Sequence, residues 1–340
     1  MINRKIIFSY SKNEAIQFLP HFTIQLCPEE FPKPPTEYGH YAYFIDFQTE
    51  EVKNKKGILD HSYKLGQKPK IDNYQMFSIP DYIVQNVENS KVMNEILYLV
   101  NALNQNDFFQ YGLRQHWTIC LNDNNDFCYG QEGYRGPEYK TTIEEFNLIP
   151  NNEFLDPIVF KYTPTQGKEQ PVRLGELFKQ YFESANVDLK KKYLNACIVL
   201  TKSFRIHEID WSASYLLMVS AIEALIEIEY EMEEQQICKC CGQPEFQVSK
   251  KFKSFIDKYG FEVDNKTKKL FYSLRSKIAH SGQLLGLSYD HKWTIETQEE
   301  LDLEDKVSMD RKYFELFKHL ARTCFRTFLF QNIKTLSNNV

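Results

Sequence analysis

Apolar and polar residues alternate along the first half of the chain, while in the second half apolar residues recur every three or four positions. Arg4–Tyr10, Gln17–Leu26 and His40–Phe47 read as strands, the last through its alternation of aromatic and polar side chains. Pro28, Pro32, Pro34 and Pro35 break the chain between the second and the third. Val92, Ile96, Leu99, Val100 and Leu103 place a helix over Lys91–Leu103. Gln115–Asn122 returns to a strand pattern, and Gly130, Gly133, Gly136 and Pro137 mark a loop after it. Residues 1–150 are therefore expected to form an α+β domain.

From Pro171 onward the pattern is helix after helix. Leu174, Leu177, Tyr181 and Phe182 mark the first, and Leu189–Phe204 the second. Trp211, Tyr215, Met218, Ile222 and Leu225 form the apolar stripe of a third. Lys250–Lys258, Lys266–His280 and a long Arg311–Leu336 follow. An all-α helical bundle over 171–340 is the expected architecture. Asn151–Gln170, with Pro157, Pro164 and Gly167, reads as the linker.

Composition narrows the class. A chain of 340 residues exceeds what one core usually serves, which agrees with two domains. A net charge of −5 excludes a globally basic nucleic-acid binder but leaves room for a local basic patch. Eight cysteines in 340 residues are too few for a disulfide scaffold. Met1–Pro20 lacks the pattern of a signal peptide, and Tyr215–Ile228, the longest apolar stretch, carries Glu223 and Glu227. A reduced, cytoplasmic protein without a membrane span is the expectation.

The stretch richest in chemistry is Leu270–Gly282, LFYSLRSKIAHSG. Leu270, Phe271, Leu274 and Ile278 make an apolar helix face, and Ser281–Gly282 reads as its end. Arg275 and His280 are five positions apart, about 140° around a straight helix. They converge only if His280 lies in the last turn, or if two copies of the helix meet. A helix C-terminus also favours a protonated imidazole. On spacing alone, a surface arginine and a capping histidine are the more ordinary explanation of the pair. Lys250, Lys251, Lys253, Lys258, Lys266, Lys268, Lys269 and Lys277 surround it, either as a footprint for phosphate or as a solvated helix face. Phe271 and Tyr272 are candidates for base stacking or for the core. Glu223 follows the stripe residue Ile222 and stands where it can border the core and orient Arg275.

Cys238-Lys-Cys240-Cys241-Gly242 has the shape of half a zinc ribbon, with no second Cys-x-x-Cys in the chain. Two readings stay open: a structural zinc held by Cys238, Cys241 and Cys240 with a further ligand, or reduced thiols in a loop. Asp60–His61 and Asp290–His291 are weak metal pairs, because adjacent side chains diverge.

The segment Arg275-Ser-Lys-Ile-Ala-His280, within LRSKIAHSG, resembles the Arg-x(4–6)-His motif of HEPN domains, the Apea-like group in particular. Ala221-Ile-Glu-Ala-Leu225 resembles the Ala-x-Glu-x-Leu segment that precedes the motif in that group. The resemblance covers Pro171–Leu336 and implies an HEPN-like bundle acting as a metal-independent endoribonuclease. It implies a homodimer with one composite site, in which His280 moves protons and Arg275 holds the scissile phosphate. Glu223 and Ser276 are auxiliary, and Lys268, Lys269 and Lys277 contact RNA. Products would carry 2′,3′-cyclic phosphate and 5′-hydroxyl ends. A bacterial anti-phage or toxin role is implied too, with residues 1–150 sensing a phage-derived trigger or restraining the effector. Gly282 stands where toxin members extend the motif with a tyrosine, so modification at that position is not expected. The alternative is a non-catalytic HEPN scaffold that binds RNA or dimerises on behalf of the N-terminal domain.

Overall fold

The structure is a computed structural model. It describes residues 1–9, 12–27, 41–51, 56–60, 74–78, 81–104, 108–109, 117–121, 127–131, 142–143, 156, 158–162, 170–207, 209–231, 247–282, 285 and 298–333. Contacts divide the chain into two units, one of residues 1–97 and 108–155, the other of 98–107 and 156–340.

The first unit is built on a five-stranded sheet whose described pairs are all antiparallel. Its strands are β1 (Ile2–Ser9), β2 (Ile16–Phe18), β3 (Phe22–Leu26), β4 (Tyr41–Gln48) and β9 (Thr142–Ile143), in the order β2-β3-β4-β1-β9. Strand β4 is central and buried on both faces. Tyr43, Ile45 and Phe47 fill one side, and Phe44 and Asp46 the other. Register puts Arg4 directly across from Asp46, and a bidentate pair at 2.7 and 2.8 Å compensates the fully buried carboxylate. Two hairpins belong to the same unit, β5 (Lys56–Asp60) with β6 (Tyr74–Ser78) and β7 (Trp117–Leu121) with β8 (Phe127–Gln131). Helix α1 (Asp81–Leu103) begins in this unit and ends in the other. Its Asn89 joins a buried amide–hydroxyl network with Asn3 and Thr49.

Three readings of this half are corrected. Gln17–Leu26 is two strands, because Pro20 cannot continue a ladder and turns the chain at Leu19–His21. Gly130 is not in a loop; it pairs with Thr118 inside β8. Helix α1 starts ten residues before Lys91.

The second unit is mostly helical. It includes the antiparallel pair β10 (Ile158–Tyr162) and β11 (Gln170–Arg173), so 158–162, inside the stretch expected as linker, is a strand. Among the described residues six helices follow: α2 (Leu174–Phe182), α3 (Val187–Ile206), α4 (Trp211–Glu229), α5 (Val248–Tyr259), α6 (Asn265–Ser281) and α7 (Gln298–Asn332). Side chains set several of the starts: Asn186 caps α3, Asp210 accepts from the Ser212 and Ala213 amides, and Asp264 accepts from Lys266 and Thr267. Helix α7 begins 13 residues before the expected Arg311, within the acidic run 298–305.

Helix α4 is the hub of this unit. Tyr215, Met218, Val219, Ala221, Ile222, Leu225 and Ile226 are buried, so it is apolar almost all round. By length and composition alone it passes as a membrane span, but half of that window is buried inside the unit, as expected of a core helix. Phe317 of α7 packs on Tyr215 and on Phe271 of α6 at 4.9 and 4.8 Å, joining three helices through aromatic rings.

Candidate functional site

Helix α6 is written by its own sequence. Asp264 starts it by capping two amides. Phe271 and Ile278 are buried, with Leu270 and Leu274 partly so, which fixes its rotation about its axis. Gly282 stops it in the left-handed conformation, φ 62°, where its amide donates to the Lys277 carbonyl. His280 therefore occupies the last turn.

That ending brings the two candidate residues together within one chain. Arg275 Nη1 lies 3.4 Å from His280 Nε2. A guanidinium has no acceptor, so this contact is a hydrogen bond only in the tautomer that leaves Nε2 as the acceptor, with the ring proton on Nδ1. Glu223 of α4 is on the other side: its Oε1 lies 3.5 Å from Arg275 Nε. This oxygen is shielded from solvent and accepts no hydrogen bond, so the nearby guanidinium charge is its compensation. Arg275 thus leans against a carboxylate at the edge of the core while its outer nitrogen reaches an exposed imidazole.

Tyr272 borders the same cluster. Its phenol is pushed above its ordinary range by burial and then by the Glu223 charge, with Arg275 opposing. Its ring packs on Phe252 at 5.2 Å. Phe271, the other aromatic candidate for base stacking, is fully buried on Phe317 and belongs to the core.

The lysines separate into two sets. At 100° per residue, Lys266, Lys269, Ser276, Lys277 and His280 project within about 100° of one another, and all five are exposed. Lys268 does not join them. It lies about 120° from His280, is buried, and pairs with Asp257 of α5. Among the remaining lysines, Lys258 pairs with Glu229 and Lys251 stacks over Tyr230. Part of the basic stretch is thus engaged by partners within the chain. Lys266, in the basic stretch but not among the three expected RNA contacts, shares the His280 face.

Cys238, Cys240 and Cys241 lie outside the described residues, as do His61, Asp290 and His291. Among the described residues no cluster of histidine, cysteine and acidic side chains is arranged to hold a metal. Cys27, Cys197 and Cys324 are buried thiols, and burial raises the pKa of each.

No protein-family model matches the chain, and comparison with characterised proteins and with solved structures gives no match either.

Proposed function

We propose that the chain is a metal-independent endoribonuclease of HEPN type, its helical unit an HEPN-like bundle. The observation that supports this most is the convergence of an anchored guanidinium and an exposed imidazole at the end of α6. In this reading the phosphodiester displaces the Arg275–His280 contact. The guanidinium turns its donors to the phosphate oxygens and stabilises the charge that develops there. Nε2, no longer occupied, accepts the proton of the ribose 2′-hydroxyl, whose oxygen attacks phosphorus. The P–O5′ bond breaks, and the departing 5′-oxygen takes a proton from a second acid, which a second copy's imidazole supplies in a homodimer. The products are a 2′,3′-cyclic phosphate and a 5′-hydroxyl, and DNA is inert for want of the 2′-hydroxyl. Lys269 and Lys277 on the His280 face steer the strand. Zinc at Cys238, Cys240 and Cys241 would be structural, since no step needs a metal. In the cell the proposed role is a cytoplasmic anti-phage or toxin effector, with the N-terminal unit as its sensor.

A scaffold without catalysis is favoured by one observation only, the engagement of Arg275 with Glu223. The discriminating experiment is cleavage of total tRNA and rRNA in EDTA by wild type, Arg275→Ala and His280→Ala, with product ends mapped. Cleavage by wild type alone, with cyclic phosphate ends, is the expected result. Equal cleavage by all three overturns the assignment. Loss of binding without any cleavage by wild type points to the scaffold.

A further inference from the structure

Helix α1 is one continuous helix, yet its last turns belong by contact to the helical unit. Two side chains hold that end. Thr201 of α3 donates its hydroxyl to the Tyr98 carbonyl at 3.3 Å. Arg326 of α7 donates Nε to the Leu103 carbonyl at 2.6 Å and Nη1 to the Val159 carbonyl at 2.8 Å. Both acceptors on Arg326 are carbonyls that regular structure leaves over. Leu103 ends α1, where carbonyls have no amide one turn on. Val159 sits where the β10–β11 register shifts between Ile158 and Phe160.

Arg326 is only 4% exposed. Burial, with Arg322 adding to it, pushes its pKa down to about 10, so it remains a cation at neutral pH. A buried cation facing the negative end of a helix is stabilised by that end, and each needs the other. Arg326 is also on the helix that touches α6. Phe317 lies nine residues earlier, about 13 Å along α7, and packs on Phe271, one turn before Arg275. Tyr215 holds the same spot from α4, its hydroxyl donating to the Phe271 carbonyl at 2.7 Å. A contiguous path of packed groups therefore runs from the end of α1 through α7 to the candidate site.

We propose that the C-terminal end of α1, gripped by Arg326, is the input through which the N-terminal half of the chain acts on the Arg275–His280 site. The functional meaning of the site rests on the nuclease reading above; the mechanical coupling does not. A movement of α1 draws the Leu103 carbonyl from Arg326, α7 yields because it is left with an under-compensated buried charge, and Phe317 passes the change to α6.

The test is amide hydrogen exchange on the full chain without RNA, comparing wild type with Arg326→Met and the milder Thr201→Val. Arg326→Met removes both charge-assisted hydrogen bonds that tie α7 to α1 and β10 and is expected to speed exchange about tenfold or more at 98–103 and at 275–281, while β3 and β4 keep their wild-type protection. Thr201→Val is expected to give the same pattern, about threefold. It decides the matter if Arg326→Met does not fold. Faster exchange confined to 98–103 overturns the proposal, as does a uniform rise that includes β3 and β4. RNA cleavage by wild type is read separately. An inactive wild type with coupled exchange removes the nuclease reading alone, and an active one without coupling removes this proposal alone.

Discussion

Glu223 and Arg275 meet at 3.5 Å across the α4–α6 junction, at the edge of the core. The distance is long for a hydrogen bond, so the contact holds the guanidinium by charge and leaves it able to turn. Glu223→Gln keeps the size and removes the charge. The expected result is cleavage reduced about tenfold with a cooperative unfolding transition retained. Arg275→Lys removes the planar fork as well and is expected to lose about 100-fold or more. If Glu223→Gln cleaves like wild type while Arg275→Lys is inactive, Glu223 plays no part in positioning.

The separation of the lysines predicts a division of phenotypes. Lys269→Gln with Lys277→Gln removes two exposed cations from the His280 face. The double variant should bind RNA more weakly, with the slope of log K against log salt reduced by about 1.4 for a single strand. Lys268→Gln should leave that slope unchanged and lower stability instead, by about 1 kcal/mol at most, because the buried Lys268 pairs with the exposed Asp257 of α5. Fluorescence anisotropy across a salt series and urea unfolding measure the two effects. An unchanged slope in the double variant would remove the face as an RNA contact.

Much of the helical half was legible because each helix carries its own start, stripe and stop. Asp264, the Phe271–Ile278 face and Gly282 set α6 within one residue of the expected limits. Glu223 was found from a single offset, since the residue after a stripe position stands at the rim of a buried face. Lys268 was misplaced for the opposite reason: its partner Asp257 comes from α5, and a local reading of α6 cannot see it. The β10–β11 pair had little signal in the sequence, because both strands are short and the register shift between Ile158 and Phe160 breaks the alternation. The roles of Thr201 and Arg326 had no local signal, because their acceptors are main-chain carbonyls at Tyr98, Leu103 and Val159.

His319 sets a pH dependence of stability. Its ring meets that of Phe261 at a tilt, centroids 5.1 Å apart, and partial burial, then the charges of Arg326 and Arg322 on the same helix, lower its pKa from the ordinary 6.5. The folded state therefore binds this proton less readily than the unfolded state. As pH falls through 6.5 the unfolded chain protonates first, and stability declines until the folded-state pKa is passed. Carboxylates titrate mostly below this window. Urea midpoints measured between pH 7.5 and 5 should fall in wild type and fall less in His319→Gln. Parallel profiles would show that His319 contributes nothing to the slope.

Gly282 links the end of α6 to the chemistry. A Cβ at this position would meet nothing within 4 Å, so Gly282→Ala suffers no clash. Its cost is conformational alone, about 1 kcal/mol for a φ of 62°. Part of that strain can be relieved by unwinding the last turn, and His280 is in that turn. Cleavage should therefore fall with the tolerance of each residue for the left-handed conformation, in the order glycine, asparagine, alanine. Gly282→Asn is the informative member, because it adds a larger side chain than alanine yet accepts the backbone better. If activity instead follows side-chain size, with asparagine below alanine, the space around the strand controls cleavage rather than the placement of His280. Thermal unfolding of the three proteins separates the stability loss from the change at the site.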